Sequence, residues 1–169
     1  MNRSQALDHD VPSLTWQRNA CFACGSANPN GLQLKFELSP GGKSYTCEFE
    51  LASTFAGPPG HAHGGIIATI LDEAMGKANK LKGKVALTRR MEVEYLRPVP
   101  LGQLLVVEGR VSKMTGRTLY NTAELRSVKG QVLARSRGKF LAINAEKMFG
   151  RELEKERLTP LVDFPKLDI

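Results

Sequence analysis

The segment His61-Ala62-His63-Gly64-Gly65-Ile66-Ile67-Ala68-Thr69-Ile70-Leu71-Asp72-Glu73 holds the residues best suited to chemistry. Pro58-Pro59-Gly60 ends whatever precedes it, and the apolar run after the glycines reads as a helix. Gly64 and Gly65 let a ligand approach the backbone where the first helical N–H groups have no intrahelical partner. Those groups lie at the positive end of the helix dipole and can polarise a carbonyl or hold an anion. A carboxylate, Asp72, follows nine residues after His63 on an otherwise nearly apolar helix. An electrophile-binding helix start and an acid in apolar surroundings together suggest an active site.

At about 100° per residue, Ile67, Leu71, Ala74, Met75 and Ala78 share an apolar arc that broadens to take in Ile66 and Ile70. So broad an arc suits a helix surrounded by other structure. Asp72 and Asn79 share one edge and Glu73 lies at the other. Lys77 does not fit the arc, and its stem can lie on apolar neighbours while the ammonium reaches out. The helix alone leaves Asp72 open between a polar boundary residue and a catalytic carboxylate.

The run "GPPGHAHGGIIATILDEAMG", followed by "ALTRRMEVEYLRPVPLG", resembles the hotdog-fold thioesterase superfamily. It is similar to the phenylacetate-degradation type and to the mammalian thioesterase-superfamily members. Upstream, "CFACGSANPNGLQLKF" resembles a segment often found before that core. The resemblance covers residues 20–145. It rests on His-Gly-Gly, on Asp72, on Thr88 sixteen residues beyond it, and on the Tyr95–Leu101 segment.

The other elements must position this site. Leu32, Leu34, Phe36 and Leu38 alternate with polar residues, as do Tyr45, Cys47, Phe49 and Leu51 after the Gly41-Gly42 turn. This period of two marks half-buried antiparallel strands. After the helix come strands expected over 85–96, 104–113, 118–128 and 131–144, with Thr115-Gly116 and Lys129-Gly130 as tight connections. The expected fold is α+β, with one long helix against an antiparallel sheet of five to six strands. The resemblance implies the same layout, with the sheet wrapped around the helix. Residues 1–19 lack periodicity and read as a mobile tail, with Trp16 as a candidate anchor. Residues 20–145 form the hotdog domain. Residues 146–169 form a C-terminal helix and an extended tail, with Pro160 and Pro165 favouring the extended part.

The chain has 169 residues and 41% apolar composition, enough for one domain with a core. No apolar stretch approaches a transmembrane length, and the first residues lack the order of a secretory signal. Three cysteines, an odd number, suggest reduced thiols and a cytoplasmic location. Cys21-x-x-Cys24 reads either as half a zinc site or as a redox pair, against a purely structural reading. Zinc needs about four ligands. Only Cys47 and three histidines remain, no second Cys pair exists, and a turn, Asn28-Pro29-Asn30-Gly31, stands where a redox pair would have a helix. The expectation is structural thiols, with no metal and no cofactor.

The net charge of +7 favours polyanionic partners. The basic residues are scattered, without the interleaved aromatics of single-strand binders, so nucleic acid is not expected. Arg135, Arg137 and Lys139 alternate on one face of a strand. They read as a solvated face or, given the resemblance, as attraction for coenzyme A phosphates.

The resemblance implies an acyl-CoA thioesterase that acts as a homodimer, or as a dimer of dimers, and the lack of a long apolar stretch implies no membrane insertion. The helix itself argues for two chains. At about 1.5 Å rise per residue, Gly64 and Asp72 stand roughly 12 Å apart along the axis, too far to act on one thioester carbon. Antiparallel helices across a two-fold axis would bring each Asp72 to the other's glycine turn. In the implied chemistry the N–H of Gly64 or Gly65 holds the thioester oxygen, and Asp72 acts as general base or as nucleophile. Thr88 orients the water or the carboxylate, and His63 binds the carbonyl or fixes the loop. Many relatives place an Asn six residues before this His, where this chain has Gly57. Ile66, Ile67, Ile70, Met75, Phe55 and Met91 are candidates for an acyl pocket, or simply core. Two other classes stay open: a non-catalytic acyl-CoA-binding protein, and a hotdog hydratase or dehydratase.

Overall fold

The computed structural model describes residues 19–158. Strand β1 (Glu37–Leu38) and strand β2 (Tyr45–Glu50) precede helix α1 (Gly64–Ala78). Strands β3 (Ala86–Tyr95), β4 (Leu104–Thr115), β5 (Thr118–Ser127) and β6 (Val132–Ala142) follow, then helix α2 (Ala145–Leu158). The six strands form one sheet in the order β1-β2-β4-β5-β6-β3, and every neighbouring pair is antiparallel. Strands β4 to β6 are a meander whose turns carry Gly116 and Gly130 at positive φ. Strand β3 lies at the far edge, paired only with β6.

Helix α1 lies directly on this sheet, and two strand glycines make that approach possible. A Cβ on Gly109 of β4 would run into the carbonyl of Ala74, and one on Gly138 of β6 would come 3.1 Å from the sulfur of Met75. Ile70, Leu71, Ala74 and Met75 are fully buried against Leu105, Val107, Leu119 and Leu125 of the sheet. Complete burial of such a side chain is worth about 1.5–3 kcal/mol, so the helix is held mainly by this face. Its end is held by a polar contact. The N–H of Asn79 turns to the carbonyls of Gly76 and Lys77. The Asn121 side chain then donates to the Met75 carbonyl at 2.8 Å and to Asn79 Oδ1 at 2.7 Å.

The α+β class, the single long helix and the antiparallel sheet agree with the sequence reading. The first strand does not extend as expected. Only Glu37–Leu38 pair with β2, and Leu38 is exposed. Gln33 has φ 49°, which breaks the extended run. The N–H groups of Leu32 and Leu34 bond instead to the carbonyls of Phe22 and Ala23. Leu34 is buried all the same, so the apolar alternation reports burial here and not a sheet ladder. Asn144 stands just before helix α2 and caps it, its side chain accepting from the Lys147 N–H at 2.9 Å. The expected tail over residues 1–19 (Asn19 apart), the Trp16 anchor and the extended Pro160–Pro165 terminus lie outside the described residues.

Candidate active site

The loop before α1 is strapped into place by its own backbone. Ala62 N–H bonds to Val99 O and His63 N–H to Phe55 O, both at 2.9 Å. His63 is the N-cap residue, extended at φ −65° and ψ 139°, and its Nδ1 accepts from the Gly65 N–H at 3.0 Å. An accepting Nδ1 puts the proton of the neutral ring on Nε2. The His63 carbonyl takes the N–H groups of Ile66 and Ile67, at 3.0 and 3.2 Å. Among the first four helical N–H groups this leaves that of Gly64 without an acceptor in the described chain. The two glycines are therefore not equivalent: Gly65 is occupied by the cap, and Gly64 is free to bind.

Asp72 projects from the middle of α1 and is half-buried. The Thr88 hydroxyl on β3 donates to its Oδ1 at 2.8 Å. Burial raises the Asp72 pKa above the ordinary aspartate value. The Thr88 bond pulls it down, and the Glu73 charge pushes it further up. The net shift is upward. A carboxylate that is partly desolvated is a stronger base, while one hydrogen bond keeps it ionisable and oriented.

Strand β3 touches both ends of the site. Besides Thr88 on Asp72, the Tyr95 hydroxyl donates to the Gly64 carbonyl at 3.1 Å. Tyr95 was not singled out from sequence as a site residue. Its one signal was its place in the "EVEYLRP" run that carries the resemblance.

Gly57 also has a steric explanation. A Cβ there would lie 2.8 Å from His63 Cα and 3.3 Å from His63 Cβ. The loop has closed onto this position, so the asparagine of many relatives would require His63 to move.

The other candidates divide. Ile67, Ile70 and Met75 are core residues, whereas Phe55, Ile66 and Met91 are partly buried at its margin. Arg135, Arg137 and Lys139 are exposed on one face of β6, as their alternation suggests. Ser136 between them touches Met75 of α1, so the trio points away from the helix and is not brought to Asp72. Arg135 pairs with Glu94 at 2.7 Å and Arg137 with Glu92 at 2.6 Å, both glutamates on β3. Cys21 and Cys24 converge on Glu73, at the other edge of α1.

Comparison with known proteins fits this geometry. The family model of the thioesterase superfamily matches residues 59–134, which contain the glycine turn, Asp72, Thr88 and Tyr95. Human acyl-coenzyme A thioesterase THEM5 is 30% identical over 124 residues, 73% of this chain and 50% of that protein. The solved thioesterase superfamily protein RHA08564 is 32% identical with a TM-score of 0.63, over 66% of this chain and 57% of that one. The smu.793 protein of Streptococcus mutans, solved bound to acetyl CoA, shares the fold at 21% identity with a TM-score of 0.60, over 66% of this chain and 89% of that one. Residues 59–134 thus match the thioesterase superfamily model, and the described chain has the hotdog fold of these solved neighbours. It spans half or less of the length of the acyl-coenzyme A thioesterases it matches. Among the described residues, no helix is long and apolar enough to cross a membrane.

Proposed function

We propose that this protein is an acyl-CoA thioesterase that works as a homodimer with its sites at the interface. The observation that carries the reading is the contrast between two groups on one helix. The Gly64 N–H at its start has no acceptor among the described residues, and the Asp72 carboxylate at its middle is half-buried and held by Thr88. One is a donor for a developing oxyanion and the other a base for water, or a nucleophile. They stand roughly 12 Å apart along the helix axis, so each serves a site completed by a second chain. Strand β3 supports this arrangement. It contacts Gly64 and Asp72 and leaves one edge unpaired, with Leu87 and Tyr95 exposed on it. A ten-residue open edge is a template for pairing with another copy.

In this reading the thioester oxygen rests against Gly64 N–H. Asp72 of the other chain takes a proton from water as the water attacks the carbonyl carbon. The C–S bond of the tetrahedral intermediate then breaks, and Asp72 returns its proton to the departing sulfur, so the coenzyme leaves as thiol and the carboxylate is restored. His63 holds the turn through Gly65, which pre-organises the donor. Phe55, Ile66 and Met91 border the acyl group. Arg135, Arg137 and Lys139 supply long-range attraction for the coenzyme phosphates, and not direct contacts.

Thiol release measured across a panel of aryl-acetyl, medium-chain and long-chain acyl-CoAs tests the reading. Release with at least one member supports it. A change in enoyl absorbance without thiol release would make the protein a lyase, and tight acyl-CoA binding with neither change would make it a binding protein.

A further inference from the structure

The Cys21–Gly25 loop is built around a tight turn. The Gly25 N–H bonds to the Cys21 carbonyl at 2.9 Å, and a Cβ on Gly25 would run into backbone oxygens of Asn19 and Cys21. The loop is pinned by the bonds from Leu32 and Leu34, and its Ala23 is buried in the fold. Both thiols are thereby presented to the edge of α1 opposite Asp72. The Sγ atoms of Cys21 and Cys24 and a carboxylate oxygen of Glu73 lie within 4.8 Å of one another. The sequence offers no second Cys pair to complete a zinc set. The fold supplies a further ligand as a carboxylate from the helix.

We propose that Cys21, Cys24 and Glu73 form a binding site for one zinc ion, with water as the fourth ligand. Two thiolates and a carboxylate match zinc by ligand type, whereas calcium and magnesium favour all-oxygen sets. Zinc bonds of about 2.0–2.3 Å require the three atoms to draw together by roughly an ångström, a rotamer adjustment at an exposed Cys21. The cluster already holds a cation: Lys77 Nζ lies 3.2 Å from Cys24 Sγ and 3.2 Å from Glu73 Oε1. Its side chain is 22% exposed, so it can swing to solvent when a metal takes its place. The Asn19 amide, 3.8 Å from Cys24 Sγ, is placed to steady the sulfur from behind. A redox role fits less well. A turn over Asn28–Gly31 follows the pair, where a redox CxxC would open a helix. Bound zinc would tie the loop to α1 one residue from Asp72.

The test uses the full chain, reduced and stripped by chelator, then titrated with zinc alone in competition with a chromophoric chelator. Cobalt(II) serves as a spectroscopic substitute. The expected result is one metal per chain, a thiolate-to-cobalt charge-transfer band, and a higher melting temperature with zinc. Cys21→Ser, Cys24→Ser and Glu73→Gln should each weaken binding at least tenfold. Lys77→Met keeps all three ligands and removes the competing ammonium, so it should bind more tightly. This variant keeps the test decisive if Cys24→Ser fails to fold. Sub-stoichiometric metal in both reduced wild type and Lys77→Met, a cobalt complex without the thiolate band, or affinity unchanged by Cys21→Ser and Glu73→Gln would each overturn the site.

Discussion

The Thr88 hydroxyl on edge strand β3 donates to Asp72 Oδ1 on helix α1 at 2.8 Å. This bond joins the sheet's open edge to the carboxylate and leaves Oδ2 without a hydrogen-bond partner among the described residues. It also opposes the effect of burial on the acid's proton affinity.

Asp72→Asn should lower thiol release by about 10²–10⁴ while the protein stays folded. Stability should not fall at neutral pH. The folded-state pKa of Asp72 is raised. Its contribution to stability is therefore present below the unfolded aspartate value and lost as pH rises through the folded one. Asn carries no such charge, so its melting temperature near pH 7 should equal or exceed wild type. Full turnover by a folded Asp72→Asn protein would refute the catalytic role.

Thr88→Val removes a bond that favours the ionised acid, so the Asp72 pKa should rise further. A base works only when ionised. The acid limb of the kcat/KM profile should therefore move to higher pH in Thr88→Val and return in Thr88→Ser. A limb that stays in place would mean that Thr88 does not act on Asp72.

His63→Ala removes the cap on Gly65 and should cost about 0.5–2 kcal/mol in chemical denaturation. His63→Asn should restore most of it, since Asn caps well. If His63 serves only the turn, turnover in His63→Asn should recover in step with stability. Recovered stability without recovered turnover would assign His63 to the substrate.

Salt should raise KM for acyl-CoA with little change in kcat, because exposed charges are screened. Arg135→Ala and Lys139→Ala together should weaken that dependence. A KM indifferent to salt would leave the β6 face without a role in coenzyme attraction.

Gly64→Pro deletes the proposed oxyanion donor with little backbone strain. Gly64 is the first helical residue, where proline is favoured, and His63 before it is already extended. The variant should fold and lose about 10²–10³ in kcat, whereas Gly64→Ala keeps the N–H and should keep most activity. Refolding Gly64→Pro together with Asp72→Asn then tests the shared site. About half the dimers are mixed, each with one intact site of two, so about a quarter of wild-type activity should return. Confirmed subunit exchange without activity above either parent would refute a site shared between chains.

The helix, its glycine start and the acid nine residues after His63 were legible in the sequence because each is a local matter. Period, turn residues and a missing N–H partner are decided within a few residues of chain. The strands after α1 were legible because clear turns bound them, although register shifts at Thr88/Arg90, Val111/Lys113 and Leu125/Arg126 interrupt their ladders. What distance in sequence hides, only the tertiary structure decided. Strand β3 is the next strand after the helix yet pairs with β6 at the sheet's far edge, and it also packs on α1. That placement sets Thr88 on Asp72 and Tyr95 on Gly64. The choice between two adjacent glycines turned on one ring nitrogen, since His63 Nδ1 occupies the Gly65 N–H. Arg135 and Arg137 looked free until the register set them opposite Glu94 and Glu92. Leu32–Leu38 alternated like a strand, but Gln33 at positive φ turned the segment toward the Cys21–Gly25 loop. The third partner of Cys21 and Cys24 could not be found by spacing at all. Glu73 reaches them because the loop folds back across some fifty residues of chain onto the helix edge opposite Asp72.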